Sequence, residues 1–124
     1  MFAPSAAAEP VPDLTPAPPF IDHTQWVGYG SHTSLRVYPT ASGRAAAGQL
    51  GKTPQQIDEA WNEVVASAPT ADTPGMRSQF VCHWRLAEFA QPGKPSWNLE
   101  PWRPVVDDNT MILDGCNPGG GPDS

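Results

Sequence analysis

The stretch 75-GMRSQFVCHWRLAEF-89 decides much of the fold, because it carries a long apolar stripe with a histidine in its middle. Thr73 and Pro74 precede it, and threonine followed by proline is a typical start of an α-helix. At about 100° per residue, one side of such a helix carries Met76, Phe80, His83, Ala87 and Ala90. The competing interpretation is a β-strand in which Phe80, Cys82, Trp84 and Leu86 alternate with other residues. The start signal and the length favour the helix.

A second helix is predicted over 53-TPQQIDEAWNEVVASAP-69. Thr53 is the expected N-cap, Pro54 fits the first helical position, and Gln56 completes a capping box. Apolar residues recur at helical spacing, at Ile57, Ala60, Trp61, Val64, Val65 and Ala68. We therefore expect this helix to be core scaffold, with Trp61 and the Trp84 of the other helix inside the core.

The segments before these helices have the pattern of β-strands. Residues 20–29 alternate, although the pattern leaves open which side is buried. Residues 34–39 resume after a turn-rich loop, with Leu35 and Val37 expected inside and Arg36 outside. Together they predict a β-hairpin, which Pro39 ends. Residues 43–50 are expected to form one or two helical turns.

The C-terminal part begins with 96-SWNLEPWRPVV-106, which is bounded by prolines and predicts an extended segment or an edge strand beside the hairpin. Residues 107–115 follow as a short helix, with an aspartate cap and Gly115 as its stop. The predicted fold class is therefore α+β, with a hairpin, two main helices, a tryptophan-rich extended segment and a short last helix.

Proline and glycine divide the chain into three parts. Residues 1–19 are rich in alanine and proline and predict a disordered leader without the features of a signal peptide. Residues 20–118 form the expected single globular domain, small and monomeric, and residues 119–124 a flexible tail. Ala-Pro-rich starts of this kind often follow a signal cleavage site.

Net charge and hydropathy exclude two classes of partner. The formal net charge is −6, so attraction to nucleic-acid phosphates is not expected. No run approaches the roughly 18 apolar residues of a membrane span. Arg77, Arg85, Lys94 and Arg103 lie close in sequence, which leaves a local cationic patch open.

The two cysteines, Cys82 and Cys116, are expected to form one disulfide that holds the last helix against residues 73–90; two free buried thiols are the alternative. A disulfide indicates an oxidising compartment and hence export. The three histidines lack the close spacing of metal ligands, so we expect no metal site and no cofactor.

Familiar enzyme motifs are absent from the sequence, which leaves His83 as the sharpest catalytic candidate. In one hypothesis Glu100 orients His83 as a general acid or base, and Arg103 stabilises developing negative charge. In the structural alternative His83 is buried and bonds a backbone carbonyl or Glu100, while Glu100 and Arg103 form an ion pair.

Tryptophan supplies the candidate binding residues. Trp26, Trp97 and Trp102 lie on strand-like or extended segments, where aromatic rings either pack in a core or stack on sugars and protein partners. Together with Arg103 they form the predicted binding surface.

Five stretches carry a resemblance to a known family: F-I-D-H, S-L-R-V-Y-P-T, Q-F-V-C-H-W, W-N-L-E-P-W-R-P and G-C-N-P. They resemble a small secreted domain of unknown function that is common in mycobacterial and related actinobacterial proteins. The resemblance covers residues 20–118. It implies export to the cell envelope or the medium, and it implies that the two cysteines are paired. It implies no catalytic residues and no substrate.

Two functional hypotheses follow. The favoured one is an exported cell-envelope or extracellular domain, its signal peptide removed, that binds a protein or glycan through the tryptophan and arginine surface. The alternative is a small secreted hydrolase that uses His83 with Glu100 and Arg103.

Overall fold

An antiparallel sheet of three strands forms one layer of the fold. In the computed structural model, which describes residues 15–120, β1 spans Ile21–Tyr29 and β2 spans His32–Pro39. A third strand, β3 (Trp97–Leu99), pairs antiparallel with β2, and the strand order is β1-β2-β3. The predicted hairpin is confirmed, and the tryptophan-rich segment contributes the expected edge strand.

Within residues 15–120, four α-helices accompany the sheet. Helix α1 spans Ala41–Ala47, α2 Pro54–Ser67, α3 Pro74–Ala90 and α4 Asp108–Leu113. A single 3-10 turn, Pro69–Ala71, separates α2 from α3. The fold class is α+β, as predicted, and the segment 73–90 is a helix rather than a strand.

The two main helices begin where the local start signals place them. The Thr53 hydroxyl accepts a hydrogen bond from the backbone N–H of Gln56 at 3.3 Å, and the Gln56 side chain accepts one from the N–H of Thr53. The Thr73 hydroxyl accepts from the N–H of Met76 at 3.2 Å. Each cap satisfies backbone donors that the first helical turn leaves without partners.

The strand register determines which side of the sheet faces the helices. Residues paired across neighbouring strands share a face, and the pairs of β1, β2 and β3 place on the core side Thr24, Trp26, Leu35, Val37, Trp97 and Leu99. A shift in register between Ile21 and His23 allows Ile21 to be buried as well. Leu35 and Val37 are fully buried, as predicted.

Aromatic rings fill the space between the sheet and α3. Phe80 lies 5.5 Å from Trp61 and 6.1 Å from both Trp84 and Trp97, measured between ring centroids, and Phe20 meets Trp84 at 5.6 Å. Trp61 and Trp84 are core residues, as expected.

Helix α3 is buried on two sides, which is more than its apolar stripe predicts. The stripe residues Met76, Phe80, His83 and Ala87 are buried, whereas Ala90 is exposed. On the side away from the sheet, Cys82 packs in a second cluster with Met111 and Cys116. The predicted disulfide joins Cys82 to Cys116, and α4 therefore lies against α3. Trp84 is buried against Phe20 and Trp97 of the aromatic core, and Gln79 against the backbone of Glu100.

Most of the predicted leader (1–19) and tail (119–124) lies outside the described residues. In the part that is described, the Ser42 hydroxyl donates to the carbonyl of Ala17 at 2.5 Å, and the Thr40 hydroxyl donates to that of Pro19 at 2.8 Å. These bonds hold residues 17–19 at the start of α1.

Candidate functional site

Gln79 connects α3 to the end of β3. Its side-chain N–H donates to the Glu100 carbonyl at 2.9 Å, and its side-chain oxygen accepts from the Glu100 N–H at 2.8 Å. The amide therefore bonds the backbone of Glu100 as a neighbouring strand would. Sequence analysis missed Gln79, although its position four residues before His83 and three after Met76 marks it as a polar residue on the buried side of α3.

His83 lies one helical turn beyond Gln79 and is only 3% exposed. Its Nδ1 is 2.8 Å from the Gln79 carbonyl oxygen, and since a carbonyl only accepts, Nδ1 carries the proton. Of the two partners that the structural hypothesis names, the ring bonds the backbone carbonyl. Desolvation by burial is the largest cause that lowers the pKa of His83 to about 4, and the nearby cations of Lys94 and Arg103 act in the same direction. The imidazole is therefore neutral at physiological pH.

Glu100 and Arg103 form a buried ion pair. The Arg103 Nε donates to Glu100 Oε1 at 2.9 Å, and both side chains are fully buried. Ser34 donates to the second oxygen of Glu100, while Arg103 Nη1 donates to the carbonyl of Pro118 at 3.1 Å and to that of Gly120. The pair thereby fixes the backbone of the C-terminal segment. His83 reaches Glu100 only through Gln79, so the three catalytic candidates are connected but do not converge on one cavity.

The predicted binding residues do not form one surface. Trp97 has no exposed surface and packs in the aromatic core, and Arg103 is 4% exposed. Trp102 is partly exposed, and its ring contacts the His32 imidazole, at 4.3 Å, and the Arg103 guanidinium, at 4.4 Å. Contacts within the protein therefore already occupy part of the Trp102 ring surface. Trp26 is 41% exposed and lies on the core side of β1.

A cleft of about 390 Å³ opens between the second half of α3 and the α4 region; we call it the α3–α4 cleft. Its lining is mainly apolar and includes His83, Leu86, Phe89, Lys94, Ile112 and Cys116. Phe89 and Ile112, two large apolar side chains of the lining, are 52% exposed each and border the cleft. The cleft therefore combines apolar walls with one buried imidazole.

A second cavity of about 380 Å³ lies against Leu86 and Ile112 as well, and is lined also by Arg77, Arg85 and Asp108. Arg77 is paired with Asp58 at 2.7 Å. The four basic residues that are close in sequence therefore do not form one cationic patch. Two line this cavity, Lys94 lines the α3–α4 cleft, and Arg103 is buried with Glu100.

Within residues 15–120, no three or more histidine, cysteine, aspartate or glutamate side chains are grouped so that they could hold a metal ion. None of the helices in the same range is both long and apolar enough to cross a membrane.

Comparison with known proteins places the chain in a family. Residues 21–119 match the profile of DUF2599, which is described as a protein of unknown function. The chain belongs to the DUF2599 family. The predicted resemblance to an actinobacterial domain of unknown function is thereby confirmed.

Relatives of this DUF2599 chain occur in mycobacteria. It is 60% identical over 103 residues to the uncharacterized protein Rv0477 of Mycobacterium tuberculosis, an alignment that covers 83% of this chain and 68% of the relative. It is 48% identical over 101 residues to the uncharacterized protein ML2452 of Mycobacterium leprae, covering 82% and 80%. No solved structure matches the chain.

Proposed function

We propose that this DUF2599 domain is exported to the cell envelope or the medium and acts there as a binding domain rather than as an enzyme. The observation that carries the proposal is the α3–α4 cleft, a half-open apolar cavity bordered by two large exposed apolar side chains. Cavities of this size, with apolar walls and few polar groups, are typical ligand sites. Exposed apolar side chains at the rim of a cavity are typical of contact surfaces.

Export is supported by the disulfide between Cys82 and Cys116. Disulfides form and persist in oxidising compartments and are rare where thiols are kept reduced. A small domain also gains a large share of its stability from such a bridge.

The binding surface that we propose differs from the one predicted from tryptophan and arginine. Trp97 and Arg103 are buried, and the Trp102 ring already contacts His32 and Arg103, so stacking of a glycan on these residues has little support. An envelope protein or another partner that offers an apolar group fits the cleft better. Phe89 at its rim carries the Lys52 ammonium 4.6 Å from its ring centroid, which adds a positive charge beside the apolar surface.

The hydrolase alternative stays a prediction with weaker support. Its acid or base would be His83, whose low pKa makes it a weak base. Its carboxylate, Glu100, is occupied by Ser34 and Arg103 rather than by the imidazole. No observation on residues 15–120 brings these three groups to one substrate position.

Export is tested by expressing the full-length tagged protein in a mycobacterial host and separating cytosol, envelope and medium. We expect the protein in the envelope or the medium, without thiols that react under denaturing, non-reducing conditions. Cytosolic protein with two reactive thiols would contradict the proposal.

Binding is tested by cross-linking the folded protein to envelope fractions. Phe89→Ser removes an exposed apolar group at the cleft and is expected to reduce partner recovery several-fold. Leu50→Ser is the matched control, because Leu50 is 95% exposed but lies outside both cavities. Equal recovery for both variants and the wild type would exclude the cleft as the contact surface.

A further inference from the structure

His83 gives the α3–α4 cleft a polar group of defined chemistry. Its Nδ1 proton is donated to the Gln79 carbonyl of its own helix, one turn back along α3. In a neutral imidazole with a protonated Nδ1, Nε2 is an acceptor and not a donor. His83 lines the cleft, and because its Nδ1 is bonded to its own helix, we infer that Nε2 is the ring atom left to a ligand there.

Burial keeps this acceptor in one protonation state. A pKa of about 4 leaves the ring uncharged throughout the neutral and mildly acidic range. Lys94 also lines the cleft, but it already interacts within the protein, and we assign it no ligand. The polar contact that a ligand makes deep in the cleft is therefore with a neutral acceptor.

The walls and the volume limit the rest of the ligand. Leu86, Phe89 and Ile112 present hydrocarbon surface to the cleft, and burial of apolar area there is favourable. A water molecule takes about 30 Å³ in the liquid, so a volume of about 390 Å³ holds on the order of a dozen non-hydrogen atoms. This is the size of a short alkyl or aromatic alcohol.

We propose that the cleft binds a small amphipathic molecule whose hydroxyl or amide N–H donates to Nε2 of His83 while its hydrocarbon part lies against Leu86, Phe89 and Ile112. This inference rests on the proposed binding function and specifies its ligand. A polar donor is required because a purely apolar ligand would leave Nε2 without a partner after displacing water from the cleft.

The test compares two probes of equal composition. We would titrate the folded protein with n-octanol, which has a hydroxyl donor, and with n-heptyl methyl ether, its isomer without one. Octanol is expected to bind roughly three- to tenfold more tightly, the value of one neutral hydrogen bond. The Nε2 signal of isotope-labelled His83 is expected to move with octanol and to stay in place with the ether.

Two variants localise the effect. His83→Asn keeps a side-chain donor near the position of Nδ1 but has no acceptor in place of Nε2, so it is expected to bind both probes alike. Phe89→Ser is expected to lower the affinity for both probes, and Leu50→Ser is expected to change neither affinity. If His83→Asn does not fold, the Nε2 signal of the wild type decides the question.

Three outcomes would overturn the inference. Equal affinities of the two probes in the wild type would show that His83 does not accept a hydrogen bond from the ligand. The proposed binding function, which needs only an apolar cleft, would stand. Tighter binding of octanoate than of octanol would assign recognition to a cation instead of to His83. If neither probe binds, the proposal of a small amphipathic ligand is wrong. The cross-linking experiment tests partner binding independently of this result.

Discussion

At the scale of single residues, His83 couples stability to pH. Its pKa is about 4 in the folded protein and about 6.5 in an unfolded chain, so the unfolded state binds the proton first as the pH falls. The stabilisation is complete above about pH 6.5 and is lost as the pH falls towards 4. From about pH 7 to about pH 5 we expect the free energy of unfolding to decrease by about 2 kcal/mol through this group.

Urea unfolding at both pH values checks this, with His83→Asn as the reference, because the two proteins share every other titratable group. We expect a smaller loss of stability in the variant. Parallel behaviour of the two proteins would show that His83 is not buried as a neutral ring. His83→Ala is expected to destabilise the domain rather than leave its melting temperature unchanged.

The ion pair of Glu100 and Arg103 is a second residue-scale test. Removing one partner leaves a buried charge without its counter-charge, and such losses cost about 3–5 kcal/mol. We expect Glu100→Ala and Arg103→Ala each to destabilise by this order, and the double variant by clearly less than the sum. Thermal or denaturant unfolding of all four proteins measures the coupling. The matched control is Arg77→Ala, whose exposed pair with Asp58 is expected to be worth less than about 1 kcal/mol.

At the scale of elements, the packing of α1 depends on a close approach between Gly43 and the backbone of Phe20. Helix propensity does not reveal such a contact. A Cβ built on Gly43 would lie 2.1 Å from the carbonyl oxygen of Phe20, so α1 can pack there only if this residue is glycine. Gly43→Ala is therefore expected to destabilise by roughly 1–3 kcal/mol, although alanine is the better helix former. Gly51→Ala, where the Cβ meets no atom within 4 Å, is the control and is expected to be nearly neutral. The denaturant midpoints of the two variants measure the difference. Equal stability of Gly43→Ala and Gly51→Ala would contradict the close contact between Gly43 and Phe20.

The elements that were predictable from sequence are those whose signals are local. The starts of α2 and α3 depend on Thr53 and Thr73, and a cap acts within one helical turn. The alternation around Leu35 and Val37 likewise identified the inner face of β2.

The candidate site could not be predicted as fully, because its contacts join residues far apart in sequence. The bonds of Gln79 to Glu100 cross 21 positions, and they determine that β3 ends against α3. Trp97 is buried because it lies within β3, whereas Trp102 lies beyond the end of this strand and is partly exposed. The α3–α4 cleft depends on where Ile112 and Cys116 come to lie over α3, and no local pattern encodes that position.

At the scale of the whole molecule, the disulfide joins α3 to the segment that follows α4. The Cα atoms of Cys82 and Cys116 are 5.6 Å apart, and 34 positions separate them in sequence. In the chain-entropy model, closing a loop of this length stabilises the folded state by about 4 kcal/mol. Because Cys116 also lines the α3–α4 cleft, the bridge holds one wall of the proposed ligand site.

Replacing both cysteines by alanine should therefore have two effects of different kinds. We expect the free energy of unfolding to fall by roughly 3–4 kcal/mol, and octanol affinity to fall even under conditions where the variant is still folded. Reduction of the wild type should reproduce both effects, and reoxidation should reverse them. A variant that keeps full octanol affinity while losing stability would separate the disulfide from the cleft. The bridge would then stabilise the fold without shaping its ligand site.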